Sequence, residues 1–233
     1  MKKLFLMALL AIGLTTNAET FTSKDGESKS KTDVTLKDGE TTDWTMHFGV
    51  GVNIATGAPD GYEFAPFKSW DLQWTVAQID YTPKGASQTY SAGLGLNWRN
   101  YGLKDNNTML AKTGDVVGLV PIIENDGSRS SRIHTMGINV PLFFTQKFSK
   151  DFSFSVGPVV NFNLGGWINN SWEVGDIEHK SSAKKIGLRP VTVDIMGVFD
   201  ISGLGIFCKY SPMSVFKKDR GPEFQSITVG LYL

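Results

Sequence analysis

The fold is decided by the stretch Asp151–Trp167, which reads DFSFSVGPVVNFNLGGW. When every second residue is taken, the stretch separates into a bulky face and a small face. The bulky face holds Phe152, Phe154, Val156, Pro158, Val160, Phe162 and Leu164, and the small face holds Ser153, Ser155, Gly157, Val159, Asn161, Asn163 and Gly165. A period of two residues is typical of a β-strand, whose side chains alternate between the two faces of a sheet.

The chemistry of the small face indicates which side of the sheet meets water. A soluble sheet normally presents Lys, Glu and Thr to solvent, whereas this face is uncharged and rich in small residues. Such a face suits a crowded interior, so the bulky face must point outward, where only lipid stabilises it. The stretch therefore predicts a strand of a transmembrane β-barrel.

The same alternation recurs along the rest of the chain from Trp44 onward. It predicts further strands at 44–55, about 67–81, 88–100, 132–148, 187–201 and 204–214, and a last strand that carries Ile227, Val229, Leu231 and Leu233. Most of these segments reach the roughly 9–11 residues that a tilted strand needs to cross a bilayer. We therefore predict an all-β fold, an eight-stranded antiparallel up-and-down transmembrane β-barrel over residues 44–233.

The connections between the predicted strands alternate in length. Short connections lie at 82–87, 149–151 and 202–203, and long ones lie at 57–66, 101–130, 167–186 and 215–223. Outer-membrane barrels have short periplasmic turns and longer outer loops. This pattern predicts the outer membrane as the location, with the long connections outside the cell.

Aromatic residues at the strand ends predict a girdle at each membrane interface. The predicted outer girdle contains Trp70, Trp98 and Trp167, and the predicted periplasmic girdle contains Trp44, Tyr81, Tyr90, Phe148 and Phe152.

The N-terminal residues have a different composition from the predicted barrel. Residues 1–18, MKKLFLMALLAIGLTTNA, combine two lysines, a short apolar core and a small final residue, which predicts a secretory signal peptide cleaved after Ala18. Residues 19–43 are polar and contain the sequence KDGE twice, which favours Asp-Gly turns in a periplasmic segment. A calcium loop is disfavoured there because the spaced acidic ligands are absent.

The net charge and the cysteine count limit the possible partners and covalent links. The 233 residues carry a net charge of zero, so the chain has no basic field for nucleic acid. Cys208 is the single cysteine and has no partner for an internal disulfide.

The run INVPLFFTQKFSKDFSFSVGPVVNFNL at 138–164 resembles the centre of the PorT-like outer-membrane β-barrel proteins of Bacteroidetes. The shared pattern is a strand with an apolar-Pro-Leu sequence, a short polar turn, and an aromatic strand with Gly-Pro. The terminal ITVGLYL is similar to the last strand of that family, although a final Phe is more usual there than Leu233. The resemblance covers residues 44–233 and implies a barrel in the outer membrane, with some relatives belonging to secretion machinery.

The candidate site is a set of inward-facing charges on four predicted strands. The Ser202–Gly203 turn places Met196 opposite Lys209, so Asp194 lies diagonal to Lys209 on the same face. If Tyr81 lies opposite Thr89, Asp71 lies opposite Arg99. Opposite charges at inward positions predict two buried pairs, Asp71 with Arg99 and Asp194 with Lys209, that close the lumen.

The alternative that the protein is an enzyme depends on its histidines. His134 follows Ser130 and Ser131, so a lipid-modifying enzyme that uses His134 stays open as a rival function. His179 lies beside Asp176 and Glu178 without the spaced partners of a metal site, and His47 lies on a small-residue face. We predict no catalytic residue, no metal and no cofactor.

The expected function is a structural, binding or secretion-associated role through the outer loops or the periplasmic segment, and not that of an open porin. The expected partners are outer-membrane lipid, the barrel assembly machinery during biogenesis, and other envelope or secretion proteins, with no nucleic acid. A soluble secreted lipocalin-like barrel that binds a ligand is a second rival. In that case the apolar faces would point inward.

Overall fold

The computed structural model describes residues 34–35, 41–104, 107–122 and 127–233, and within them the regular structure consists of β-strands and one short 3₁₀ turn at Pro66–Lys68. The predicted signal peptide, and residues 19–43 except for 34–35 and 41–43, lie outside the described residues. The strands are β1 (Val34–Thr35), β2 (Thr41–Thr56), β3 (Trp70–Thr82), β4 (Gln88–Gly102), β5 (Thr108–Thr113), β6 (Val116–Pro121), β7 (Arg129–Lys147), β8 (Phe152–Val174), β9 (Ile177–Lys184), β10 (Val191–Ile201), β11 (Leu204–Ser211) and β12 (Gln225–Tyr232).

The large sheet returns to the strand from which it starts. Its pairing order is β2-β12-β11-β10-β8-β7-β4-β3, and β3 pairs again with β2, so the strands ring round an interior. Each of these pairings is antiparallel. The prediction of an all-β fold with an antiparallel sheet is confirmed.

The smaller strands lie at the ends of the ring. The short β1 pairs with the first residues of β2, and β9 continues the sheet beside β8. β5 and β6 form a separate hairpin in the connection between β4 and β7. Two predicted loops are therefore wrong in their bounds. The range 101–130 contains this hairpin, and the range 167–186 contains the end of β8 and the whole of β9. In β9, polar residues on both faces remove the apolar alternation, although the strand conformation continues.

The turn between β10 and β11 sets the register of these two strands. Ser202 and Gly203 both have positive φ angles, 54° and 88°. A two-residue turn with positive φ at both positions fits the right-handed twist of antiparallel strands. It pairs Ile201 with Leu204 and Met196 with Lys209, which confirms the predicted register.

Two bulges change the simple alternation, and the one in β3 shifts its register with both β2 and β4. In β3 one extra residue at Val76 pairs Tyr81 with Tyr90, so the predicted pairing of Tyr81 with Thr89 is wrong. In β8 the pairs Met136–Gly165 and Gly137–Asn163 leave Leu164 as an extra residue. The predicted inward position of Gly165 is therefore wrong, because it lies opposite the exposed Met136. Such bulges add one residue to one strand and exchange its two faces beyond that point.

The two faces of the ring have opposite chemistry. The outward face exposes large apolar side chains on every strand of the ring, for example Met46, Trp74, Leu94, Phe144, Phe162, Ile195, Ile206 and Leu231. The inward face holds most of the buried polar residues together with two apolar clusters. One cluster lies toward the short connections and contains Phe143, Val198, Phe207 and Tyr232, and the other lies under the long connections and contains Tyr101, Leu110, Phe216 and Phe224.

The interior is tightly packed around small residues. A Cβ atom built on Gly51 would lie 2.8 Å from Thr228 Cγ2 and 2.9 Å from Phe207 Cζ. Both distances are shorter than ordinary van der Waals contact. Glycine is therefore required where large side chains fill the ring.

Candidate functional site

Four charged side chains meet inside the ring, and we call them the ionic cluster. Asp71 on β3 and Arg99 on β4 come from one side, and Asp194 on β10 and Lys209 on β11 come from the other. All four are buried, with relative exposures of 5% or less. The cluster therefore bridges opposite sides of the ring.

The ion pairs of the cluster cross the interior. Arg99 Nε lies 3.1 Å from Asp71 Oδ2, and Lys209 Nζ lies 2.7 Å from the same oxygen. The second carboxylate, that of Asp194, accepts a hydrogen bond from Arg99 Nη2. The sequence paired Lys209 with Asp194, whereas the ion pair of Lys209 is with Asp71. Strand register shows which side chains are neighbours on adjacent strands. It does not show which long side chains meet across the interior of the ring.

Neutral polar groups add hydrogen bonds to the charges of the cluster. Asn161 Nδ2 donates to Asp194 Oδ2 at 2.8 Å, and Asn97 Nδ2 donates to Asn161 Oδ1 at 3.1 Å. Gln73 Oε1 lies 3.4 Å from Lys209 Nζ. Sequence reasoning did not assign these residues to the site, although Asn161 and Gln73 fall on the predicted inward faces. The sequence signal that could have identified them is an amide side chain at an inward position, at the same height in the ring as a charged residue.

The charges in the cluster balance, with two acidic and two basic groups. Burying ions costs several kcal/mol each, and only paired geometry with further hydrogen bonds offsets that cost. The ionic cluster lies between the two apolar clusters along the ring axis, and its paired charges occupy the interior at that level.

Aromatic side chains form two rows on the outward face. Near the long connections, the ring centroids of Trp70 and Trp98 lie 5.8 Å apart, and those of Trp98 and Trp167 lie 6.1 Å apart. The bulge in β8 brings Trp167 to this face, where it stacks on His134 at 5.4 Å. Near the short connections the structure places the other five predicted residues, all of them exposed: Trp44, Tyr81, Tyr90, Phe148 and Phe152.

The histidines make contacts that involve aromatic rings. His134 faces outward, while Ser131 is buried on the inward face and its Oγ donates to Asn170 Oδ1 at 2.6 Å. Ser130 Oγ accepts a hydrogen bond from Arg132 Nε at 2.9 Å. The structure therefore does not align His134 with Ser131.

The other two histidines lie at opposite ends of the ring. His47 stacks on Tyr232 at 5.0 Å, and His179 stacks on Trp172 at 5.5 Å. Within the described part of the chain, the structure contains no group of three or more His, Cys, Asp or Glu residues that could hold a metal ion.

Comparison with models of known protein families finds no match for this chain, and comparison with curated protein sequences finds none either. Among the described residues, no helix is both long enough and apolar enough to cross a membrane.

Proposed function

We propose that the chain is an eight-stranded transmembrane β-barrel of the bacterial outer membrane with a closed lumen. In this proposal it is a PorT-like protein, made with a signal peptide over Met1–Ala18 and mature from about Glu19. Its role is structural, binding or secretion-associated, carried by the outer connections or by residues 19–43, and it does not act as a porin.

One observation carries this proposal: the ring is apolar outside and ionic inside. Leu94 and Ile195 are more than half exposed, while Asp71 and Asp194 are fully buried. Contiguous exposed apolar surface larger than a few hundred Å² is rare on soluble proteins, because water disfavours it. In a hydrocarbon surrounding, exposed apolar side chains are favourable, and the polar groups must pair with one another inside the ring.

The spacing of the aromatic rows supports the same proposal. Trp98 and Tyr90 are eight residues apart on β4, and Trp70 and Tyr81 are eleven apart on β3. With about 3.4 Å per residue and a tilt near 40°, these separations correspond to about 21 Å and about 29 Å along the barrel axis. The two values bracket the apolar band of about 25 Å that outer-membrane barrels present to lipid.

The two rival functions lack a supporting observation. A lipocalin-like barrel would hold its ligand against inward apolar faces, whereas the inward face here carries the ionic cluster and packed side chains. A lipid-modifying enzyme would need a nucleophile beside His134, whose ring stacks on Trp167. Ser131 lies on the other face, and Ser130 Oγ accepts a hydrogen bond from Arg132 Nε.

The partners in this proposal follow from the two surfaces. Outer-membrane lipid surrounds the apolar face, and the barrel assembly machinery inserts the chain. Other envelope or secretion proteins contact the outer connections or residues 19–43. Nucleic acid is not a partner, because the net charge of zero provides no attractive field.

The first test is location and orientation. We expect the protein in the outer-membrane fraction, and trypsin added to intact cells should cut at Lys104 or Lys185 and spare Lys150. The long connections contain Lys104 and Lys185, whereas Lys150 lies in a short one. Immunoblotting with antibodies against each end measures the fragments. Recovery as a soluble periplasmic protein would refute the proposal, and cleavage at Lys150 alone would reverse the orientation.

The second test is conductance in planar lipid bilayers. We expect little ion flow through the wild-type protein, because the ionic cluster and the two apolar clusters fill the lumen. Changing both Asp71 and Arg99 to Ala keeps the net charge and should raise the leak severalfold. The matched control is Glu63→Ala with Lys104→Ala, an exposed ion pair of 3.1 Å at the outer end, which should leave the leak unchanged. A large, steady conductance of the wild type would contradict the closed lumen.

A further inference from the structure

We infer that the outward face of β7, β8 and β9, next to the outer tryptophans, binds the phosphate groups of an outer-leaflet lipid. This inference rests on the proposed function, because it requires that the tryptophans lie at the outer membrane interface. It adds a site for a lipid headgroup to the general apolar contact with lipid in the proposed function.

The site consists of two rows of side chains that the strand register aligns across β7, β8 and β9, and we call them the donor rows. The first row is His134–Trp167–Lys184 and the second is Arg132–Asn169–Ser182. Because His134 stacks on Trp167, and Trp167 lies near the exposed Trp98, the rows share the outward face of the ring. The second row lies one step farther from the apolar band than the tryptophan does. This is the depth at which lipid headgroups begin.

The donor rows are rich in hydrogen-bond donors and contain no acidic residue. Among residues 41–104, 107–122 and 127–233, no carboxylate lies within ion-pair distance of Arg132 or Lys184. Arg132 Nε donates to Ser130 Oγ at 2.9 Å, which holds the guanidinium on this face. Arg and Lys with neighbouring amide and hydroxyl donors form the side-chain set that recognises phosphate.

The nearest acidic neighbour on β9 is neutralised. Glu178 Oε2 lies 2.7 Å from Lys180 Nζ, and this hydrogen bond lowers the pKa of the Glu178 carboxyl, which also accepts from Ser171 Oγ. The charge of Lys180 is therefore used locally. Glu173 on β8 shares this face farther from the tryptophan row, where its Oε2 accepts a hydrogen bond from the Ser128 N–H, so Arg132 and Lys184 are the cations of the donor rows and the face keeps a net charge of about +1.

The spacing of the two cations fits one phosphate group. Arg132 lies on β7 and Lys184 on β9, with β8 between them. Two interstrand steps and an offset of two residues along the strand separate their backbones by about 12 Å, a gap that two long side chains can close around a single anion. Asn169 on β8 places an amide between them. A phosphorylated headgroup lying over the tryptophan row would meet all three side chains.

The test uses the full-length protein in detergent micelles and diphosphorylated lipid A as the probe, with binding measured by native mass spectrometry. The variant Arg132→Gln with Lys184→Gln should weaken binding by roughly tenfold to thirtyfold, because each cation at a membrane surface contributes a factor of several. The matched control is Lys217→Gln with Lys218→Gln, which removes the same charge from exposed residues at the same end of the ring. It should bind like the wild type.

Two further arms identify the source of the phosphate and separate this inference from the proposed function. Dephosphorylated lipid A should bind as weakly as the double variant, and inorganic phosphate in millimolar excess should not displace the lipid. Equal binding by the donor-row variant, equal loss in the control, or full displacement by inorganic phosphate would overturn the inference. Flotation with phosphatidylcholine vesicles tests membrane insertion independently, and failure there would instead overturn the proposed function.

Discussion

Asp71→Asn is expected to lower the free energy of unfolding by about 3–5 kcal/mol, because it leaves two buried cations with one carboxylate. The Asp71 carboxylate holds Lys209 Nζ at 2.7 Å and Arg99 Nε at 3.1 Å. Asn keeps the size of the side chain but removes the charge, so the loss reports electrostatic compensation and not packing. Urea unfolding of the protein refolded in lipid vesicles gives the measurement.

A second variant tests whether charge balance is the cause. Adding Lys209→Met to Asp71→Asn leaves Arg99 paired with Asp194, with no net charge in the ionic cluster. We expect this double variant to regain at least half of the lost stability, since a buried ion pair replaced by apolar packing is often neutral. Asp151→Asn, at an exposed turn, is the control and should stay within about 0.5 kcal/mol of the wild type. A single Asp71→Asn variant as stable as this control would contradict the role of the cluster.

The ring strands could be predicted from the sequence because one physical signal controls them. A strand with one face toward a crowded interior must alternate, and Phe152–Phe162 shows this with bulky and small residues in turn. The short connections were found for a related reason. A two-residue turn such as Ser202–Gly203 fixes the register of both strands, so Met196 could be placed opposite Lys209.

The bulges were not predicted, because each extra residue is itself apolar and no polar residue on the outward face marks the exchange of faces. Val76 and Leu164 are apolar and outward, as the neighbours on their strands require, yet each one shifts the register by one position. The predicted pairing of Asp71 with Arg99 assumed Tyr81 opposite Thr89. The structure has Tyr81 opposite Tyr90, and the bulge between the two sites restores Asp71 opposite Arg99.

The contacts across the ring were also beyond sequence reasoning. Register arguments connect neighbouring strands, whereas Arg99 on β4 reaches Asp194 on β10. This contact depends on the diameter of the ring and on side-chain length. The donor rows on β7–β9 were missed for a different reason: β9 was assigned to a loop, since its residues are polar on both faces.

Val160→Arg is expected to cost about 2–4 kcal/mol of stability if the outward face lies in lipid. If that face meets water, the substitution should change the stability by no more than about 0.5 kcal/mol. Val160 is outward on β8 and pairs with Val140 and Val193, midway between the two aromatic rows. An arginine there would place its charge near the centre of the apolar band, where the cost of burying it is largest.

The cost should depend on depth, and this dependence distinguishes lipid from a local packing defect. Ile201 is also exposed and outward, but it pairs with Phe152 in the row near the short connections. Ile201→Arg should therefore cost only about 0–1 kcal/mol, because the side chain reaches the interface. Val160→Ala controls for loss of the valine itself. Urea unfolding in vesicles measures all three, and equal stability of Val160→Arg and Ile201→Arg would show that the outward face does not lie in a bilayer.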